Sequence, residues 1–332
     1  MDSRLTTAEV PVRFLGAVFL TGRIPWRVAP HDPRVSYALH VPHSKYSIKF
    51  TGDATAEQKA SISDADRLPL VVWVHGTGRD ITPIATDLAA FAKENGCAVL
   101  TPFFPANMDG PSDLDAYKLL RSRTLQSDKV LLAILDEVAA YWPGISTSRF
   151  YLGGFSGGGQ FAQRFLYVHP ERLAAVGVGA PGRPTFLDET QTWPVGIQDV
   201  EEIFGKTVDK TAISKVAIQL AIGSEDSVVH GGPEFWVWLR EMKAKKMKEA
   251  KEKEPLKDAG EKGKKKEVAA LPTTFGSRLE SIQELHRQWQ ADGIQSTLTI
   301  VDGFSHEGKG VRPHVMEFLK SRMEADGVIK KE

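Results

Sequence analysis

Cysteine is nearly absent from this sequence, which has one, Cys97, among 332 residues. A lone cysteine cannot form a disulfide within the chain, so no disulfide framework is expected. Cys97 opens the apolar run 97–100, which favours a buried strand thiol over a reactive one. So low a cysteine content is typical of a reducing compartment, and we expect a cytoplasmic location.

An excess of charge of either sign is also missing. Lys and Arg together number 42, as do Asp and Glu, so the formal net charge is zero with neutral histidines. No net field draws the chain to nucleic acid or to an anionic membrane, and we expect neither as a partner. The 9 histidines show no metal-ligand spacing, so we expect no metal and no organic cofactor.

Long apolar runs are missing as well, since none reaches the roughly 20 residues of a membrane-spanning helix. The run Phe14–Leu20 follows Glu9 and Arg13 and precedes no convincing cleavage site. We interpret it as a first β-strand and not as a signal segment. Apolar residues make up 42% of the chain and charged residues 25%, as in soluble globular proteins. We expect a single domain over residues 1–332.

Short apolar runs alternate with helix-like segments along most of the chain. The pattern predicts strands at 35–41, 68–74, 97–101, 148–153, 173–179, 215–222 and 296–301, and helices at 82–95, 127–141, 157–168 and 310–323. This alternation implies an α/β fold with a mostly parallel central sheet and helices on both faces. In such folds ligands bind beyond the carboxyl ends of the strands.

Two segments interrupt the alternation. Residues 181–212 contain prolines, Trp193 and Phe204 but no clear strand, and we interpret them as a small cap insertion; a long surface connection is the alternative. Residues 241–270 are rich in lysine and in acidic side chains. Because these charges largely cancel, we interpret this segment as a charged, mobile insertion and not as a basic docking patch.

The strongest functional pattern is G-x-S-x-G at Gly154, Ser156 and Gly158, between a predicted strand and a predicted helix. A serine on so sharp a turn projects into the cleft, and glycines beside it avoid clashes with neighbouring backbone. The alternatives are a glycine-rich turn that happens to contain serine and a phosphate-binding loop, but neither G-x-G-x-x-G after the first strand nor a Walker lysine is present. We interpret Ser156 as a nucleophile.

A serine nucleophile needs a base, which in chain order should follow the final strand. His306 lies in a glycine-flanked loop just after the predicted strand 296–301. An exposed loop histidine is the alternative interpretation, and His314 and His230 are weaker candidates. We predict that His306 is the base.

The third member of such a site is a carboxylate that fixes the histidine tautomer, and it should lie between the serine and the histidine in the sequence. Asp226 follows the predicted strand 215–222 in the pattern Gly223-x-x-Asp226. We prefer Asp226 as this acid and keep Glu225 as the alternative.

Attack on a carbonyl creates an oxyanion, which preplaced N–H groups must stabilise. The run His75-Gly76-Thr77-Gly78 follows a predicted apolar strand. We predict that the backbone N–H groups of Thr77 and Gly157 form the oxyanion hole. We interpret His75 as a structural residue and not as a second base.

In their order along the chain, these motifs resemble the α/β-hydrolase superfamily over residues 70–320, and the stretch 169–176 is similar to esterases of the polyhydroxyalkanoate-depolymerase and feruloyl-esterase kind. The resemblance implies a serine hydrolase that cleaves a carboxylic ester, or a related acyl bond, of a small-molecule substrate. The alternatives are a thioesterase or acyltransferase with the same triad, a peptidase, and a non-catalytic ligand-binding protein. Substrate-binding residues and oligomeric state are not assigned.

Overall fold

The structure is a computed structural model, and it describes residues 4–227, 237–238, 241–242, 244–245 and 276–331. Most of the predicted charged insertion at 241–270 lies outside the described residues, as does His230. In these ranges, no helix combines the length and the apolar character needed to cross a bilayer.

Eight strands and eight α-helices lie entirely within the described residues, and they are numbered in chain order. The strands are β1 Gly22–Val28, β2 Ser36–Val41, β3 Leu68–Val74, β4 Ala98–Phe103, β5 Ile145–Phe155, β6 Leu173–Gly179, β7 Ala217–Gly223 and β8 Thr297–Val301. The helices are α1 Ala56–Ala60, α2 Thr82–Asn95, α3 Ser127–Tyr141, α4 Gly157–Val168, α5 Val200–Phe204, α6 Lys210–Ile213, α7 Arg278–Ala291 and α8 Gly308–Ala325. Short 3-10 helices include Val12–Phe14 and Ala116–Leu119.

The strands form one sheet in the order β1-β2-β4-β3-β5-β6-β7-β8. β1 pairs with β2, and β2 with β4, in antiparallel fashion, whereas the pairs from β4 to β8 are parallel. The predicted mostly parallel sheet is therefore confirmed. Because parallel strands all end at the same edge, the loops after β3, β5, β7 and β8 meet there.

Hydrophobic cores lie on both faces of this sheet. In β3, Leu70, Val72 and Val74 belong to a core that includes side chains of α3, α4 and α7. Val71 and Trp73 point the other way, into a core formed with α2 and α8. A strand buried on both faces has no polar alternation, which explains its continuous apolar sequence and confirms the predicted helices on both faces.

Most predicted elements agree with the structure, but the first strand was predicted in the wrong place. Residues 15–20 form turns after the 3-10 helix Val12–Phe14, with Val18 N–H donating to the Phe14 carbonyl and Leu20 N–H to the Leu15 carbonyl. Local bonds of this kind use the backbone groups that a strand would offer to a neighbour. Phe19 is 58% exposed, so the run is not buried as a unit, and the first strand is β1.

Residues 181–212 contain α5 and α6 and no strand. The Trp193 indole N–H donates to the Leu119 carbonyl at 2.8 Å. The Arg164 guanidinium on α4 donates to the Thr185 hydroxyl at 2.9 Å. These bonds fasten the segment to α4 and to the 3-10 helix Ala116–Leu119. The cap role of the segment stays a prediction.

Candidate active site

Three side chains predicted from separate loops meet at the carboxyl edge of the sheet. His306, after β8, lies between the other two: its Nε2 is 2.9 Å from Ser156 Oγ, and its Nδ1 is 2.7 Å from Asp226 Oδ2. An ionised carboxylate only accepts hydrogen bonds, so Nδ1 donates to it and Nε2 accepts from the serine hydroxyl. The arrangement can therefore take a proton from Ser156.

Ser156 lies between β5 and α4 in a backbone conformation that few side chains adopt, with φ 57° and ψ −111°. Its N–H donates to the Gly179 carbonyl at the end of β6, at 2.8 Å. Its carbonyl accepts from the N–H of Gln160, at 3.0 Å. Non-glycine residues at positive φ are uncommon, and they persist where the surrounding structure holds them. The strain fits the predicted sharp turn.

The glycines around Ser156 are explained by close backbone contacts. A Cβ added to Gly154 would lie 2.4 Å from the carbonyl oxygen of Gly158. A Cβ added to Gly158 would lie 2.0 Å from the carbonyl oxygen of Val74 on β3. No real Cβ approaches a backbone oxygen so closely, so the turn can pack against β3 only when these positions lack a side chain.

Replacing Gly158 by alanine is expected to lower the free energy of unfolding by about 3 kcal/mol or more, because the added methyl group must displace β3 backbone. A denaturant titration followed by circular dichroism measures this change. Gly16→Ala is the matched control, since a Cβ at Gly16 meets nothing within 4 Å. Equal stability of the two variants would show that the turn relaxes without cost.

Asp226 is held by the His306 ring and by the Arg278 guanidinium. Its side chain is 1% exposed, and Oδ1 accepts a hydrogen bond from Arg278 Nη1 at 2.7 Å while Oδ2 faces His306. Burial raises the pKa of Asp226, but the hydrogen bonds from His306 and Arg278 and the charge of Arg278 outweigh burial and hold this pKa below its usual value. The carboxylate is therefore ionised at neutral pH.

Glu225, the alternative acid, is placed differently. Its residue is exposed, and its backbone N–H donates to the Phe304 carbonyl at 2.9 Å. The structure thus brings Asp226 to His306 and leaves Glu225 at the surface. His314, the weaker candidate for the base, is exposed on α8.

The loop after β3 lies against Ser156. A Cβ placed on Gly76 would be 3.7 Å from Ser156 Cβ, and Thr77 Oγ1 lies 3.0 Å from the point where a Cβ of Gly157 would be. Gly157 is the first residue of α4, so its N–H has no acceptor within the helix. In the described part of the chain, neither that N–H nor the Thr77 N–H has a hydrogen-bond acceptor.

Comparison with known proteins gave matches among solved structures. No family model matches the sequence, and no curated protein matches it significantly. A poly(3-hydroxybutyrate) depolymerase from Bordetella parapertussis matches with a TM-score of 0.60 at 16% identity, covering 100% of this chain and 97% of that one. Poly(aspartic acid) hydrolase-1 from Sphingomonas sp. KT-1 matches with a TM-score of 0.56 at 16% identity, covering 86% and 93%. S-formylglutathione hydrolase from Staphylococcus aureus matches with a TM-score of 0.50 at 11% identity, covering 90% and 96%.

The chain has the α/β-hydrolase fold. These matches cover most of both chains, and the sheet with helices on both faces is the architecture that the motifs predicted. At 11–16% identity the likeness concerns the fold alone. The narrower resemblance to polyhydroxyalkanoate depolymerases and feruloyl esterases stays a prediction.

His75, at the start of the loop that follows β3, has contacts that fit a structural residue. Its Nε2 accepts from the backbone N–H of Phe104 at 3.0 Å, and its Nδ1 lies 2.8 Å from the Gly76 carbonyl. Burial lowers the pKa of His75 to about 4. The neutral ring therefore joins the end of β3 to the residue that follows β4, and both of its nitrogens are engaged.

Sequence reasoning missed several residues that shape this site. Arg278, the first residue of α7, reaches Asp226 from 52 positions away, and no motif links the two. The Phe155 ring packs on the His306 ring with centroids 4.8 Å apart. Tyr117 donates its hydroxyl to the His75 carbonyl at 3.0 Å. The position of Phe155 beside the predicted nucleophile was a usable signal for the second of these contacts.

Proposed function

We propose that this chain is a serine hydrolase that cleaves a carboxylic ester of a small molecule through an acyl-enzyme intermediate. The observation that carries the proposal is the position of His306 between Ser156 and Asp226, with each ring nitrogen in hydrogen-bond contact with one of them. A hydroxyl is a weak nucleophile at its ordinary pKa, and a base in hydrogen-bond contact activates it by accepting its proton during the attack.

The proposed reaction has two halves. In the first, Ser156 Oγ attacks the ester carbonyl while His306 Nε2 takes its proton, and the Thr77 and Gly157 N–H groups stabilise the oxyanion. The C–O bond then breaks, and His306 returns the proton to the leaving alcohol. In the second half, His306 deprotonates a water that attacks the acyl-enzyme. The bond between the acyl carbon and Ser156 Oγ then breaks, His306 returns the proton to Ser156 Oγ, and the acid is released.

The names of the structural neighbours agree with hydrolysis as the reaction class. They are a depolymerase, a poly(aspartic acid) hydrolase and an S-formylglutathione hydrolase. A thioesterase or an acyltransferase would use the same three side chains. The difference is whether water or a second alcohol, amine or thiol attacks the acyl-enzyme, so chromatography for transfer products separates these alternatives.

A fluorophosphonate probe tests the nucleophile directly. We expect one probe per chain, attached to Ser156, because the probe forms a covalent bond only with an activated serine. Intact-mass spectrometry and peptide mapping measure the adduct. Ser156→Ala is expected to take up no probe, and Ser321→Ala, which changes an exposed serine on α8, is expected to react like the unmodified chain. No adduct on the unmodified chain would refute the proposal.

A further inference from the structure

The side chain of Lys118 lies against Gly157, one of the two residues of the proposed oxyanion hole. It lies in the 3-10 helix Ala116–Leu119 and is 5% exposed. Its Cε is 2.8 Å from the point where a Cβ of Gly157 would be, and Thr77 Oγ1 is 3.0 Å from the same point. The Lys118 side chain therefore lies beside both residues that are proposed to stabilise the oxyanion. The missing side chain of Gly157 makes room for it and for the Tyr117 hydroxyl, which lies 2.3 Å from the same point.

The ammonium of Lys118 is only partly engaged. It donates to Asp115 Oδ1, whose side chain is 54% exposed. A lysine ammonium has three N–H donors. Within the described residues Asp115 is the one hydrogen-bond acceptor, and the centroid of the Tyr117 ring lies 5.9 Å from the ammonium nitrogen. Burial lowers the pKa of Lys118, and Asp115 opposes that effect. An enclosed ammonium with unused donors is costly unless a ligand supplies acceptors.

The cationic side chains near Lys118 make the electrostatic potential around it positive. Arg164 is 1% exposed and donates to the Thr185 hydroxyl, to Gln160, and to the Lys118 and Arg183 carbonyls. These acceptors are neutral, and no described carboxylate pairs with Arg164.

Arg79, like Arg164, is a cation whose hydrogen-bond acceptors are neutral. Its guanidinium donates to the carbonyls of Thr77, Phe104, Pro105 and Leu114 and pairs with no described carboxylate. Burial raises the pKa of Asp115, but Lys118, Arg183 and Arg164 together outweigh burial and hold this pKa below its usual value. Among the described residues, Asp115 pairs with Lys118 and no carboxylate pairs with Arg79 or Arg164, whereas the charge of Arg278 is matched by Asp226.

We propose that the substrate of this site carries a carboxylate near the scissile acyl bond and that Lys118 binds that carboxylate. The inference rests on the proposed ester hydrolysis and names its substrate class. A carboxylate would accept the unused Lys118 N–H groups, and the surplus charge of Arg79 and Arg164 would favour its entry. Contact of Lys118 with the oxyanion itself is the competing role, and it would not discriminate between charged and neutral esters.

Matched pairs of esters test this proposal. One pair places the charge on the acyl side, mono-4-nitrophenyl adipate against methyl 4-nitrophenyl adipate. The other places it on the alcohol side, 4-acetoxybenzoate against methyl 4-acetoxybenzoate. The quantity measured is the ratio of kcat/KM for the charged ester to that for the neutral ester, so a general loss of activity cancels. The pair with the larger ratio shows on which side of the bond the carboxylate lies.

Two variants should move this ratio in opposite directions. Lys118→Met keeps the length of the side chain and is expected to lower the ratio about 10-fold, the effect of losing one hydrogen bond to a charged group. Asp115→Asn releases the ammonium from its competitor and is expected to raise the ratio about threefold. Lys93→Met, a change of the same charge at an exposed position on α2, should leave the ratio unchanged.

Opposite shifts support the proposal, since a structural defect would not produce them. A ratio that is unchanged in both Lys118→Met and Asp115→Asn overturns the proposal. If Lys118→Met lowers kcat/KM equally for charged and neutral esters, Lys118 stabilises the oxyanion instead. If Lys118→Met does not fold, Asp115→Asn decides alone: a ratio that fails to rise overturns the proposal. Failure of the proposed function is distinguishable, because then no ester of either pair would be cleaved in a Ser156-dependent way.

Discussion

Replacing Ser156 by alanine is expected to lower kcat for an activated ester by about 10,000-fold or more, the loss seen when a triad nucleophile is removed. The methyl group cannot attack a carbonyl, so no acyl-enzyme forms and the remaining rate comes from binding and from the oxyanion donors. Purified protein with 4-nitrophenyl acetate gives both rates, with the uncatalysed rate subtracted. The low rate must be checked against contamination by measuring it in separate preparations.

The structure provides a matched control for this substitution. Ser321→Ala removes the same hydroxyl from an exposed position on α8, where the hydroxyl donates to the Phe318 carbonyl at 2.8 Å. We expect its kcat to equal that of the unmodified chain. If Ser156→Ala kept a tenth of the original rate or more, a different group would be doing the chemistry, and His306 would have another partner.

The elements that could be predicted are those whose signal is local. The run 68–74 is apolar throughout because β3 is covered on both faces, and its pattern predicts a buried strand without further information. The motif at Gly154, Ser156 and Gly158 is predictable for a similar reason, because the close backbone contacts of the turn leave no room for a Cβ at either glycine. Chain order then limited where a base and an acid could lie.

Contacts between distant parts of the chain could not be predicted. Arg278 and Asp226 are separated by a long charged segment, and neither belongs to a shared pattern. Lys118 lies near Gly157 because the 3-10 helix Ala116–Leu119 packs on α4, which is a tertiary contact. The prediction of a strand at Phe14–Leu20 was wrong because apolar content without a clear period does not distinguish a strand from a series of turns. The cytoplasmic location stays a prediction.

Replacing Asp226 by asparagine is expected to lower kcat by about 10,000-fold through the tautomer of His306. Arg278 Nη1 donates to Oδ1 at 2.7 Å, and this donor holds the amide oxygen of the new side chain on the Arg278 side. The amide NH2 then faces His306 Nδ1, which must accept instead of donate. Nε2 therefore carries the proton, and it can no longer take one from Ser156.

Glu225→Gln is the control for this prediction, because it makes the same chemical change one residue away on an exposed side chain. We expect it to keep full activity. Because Asp226→Asn removes a buried carboxylate that pairs with Arg278 at 2.7 Å, its stability should fall by about 3 kcal/mol. A thermal melt must show that the variant is folded at the assay temperature. A folded Asp226→Asn variant with undiminished kcat would show that Asp226 is not the acid of this site. A large loss of kcat in Glu225→Gln would assign that role to Glu225.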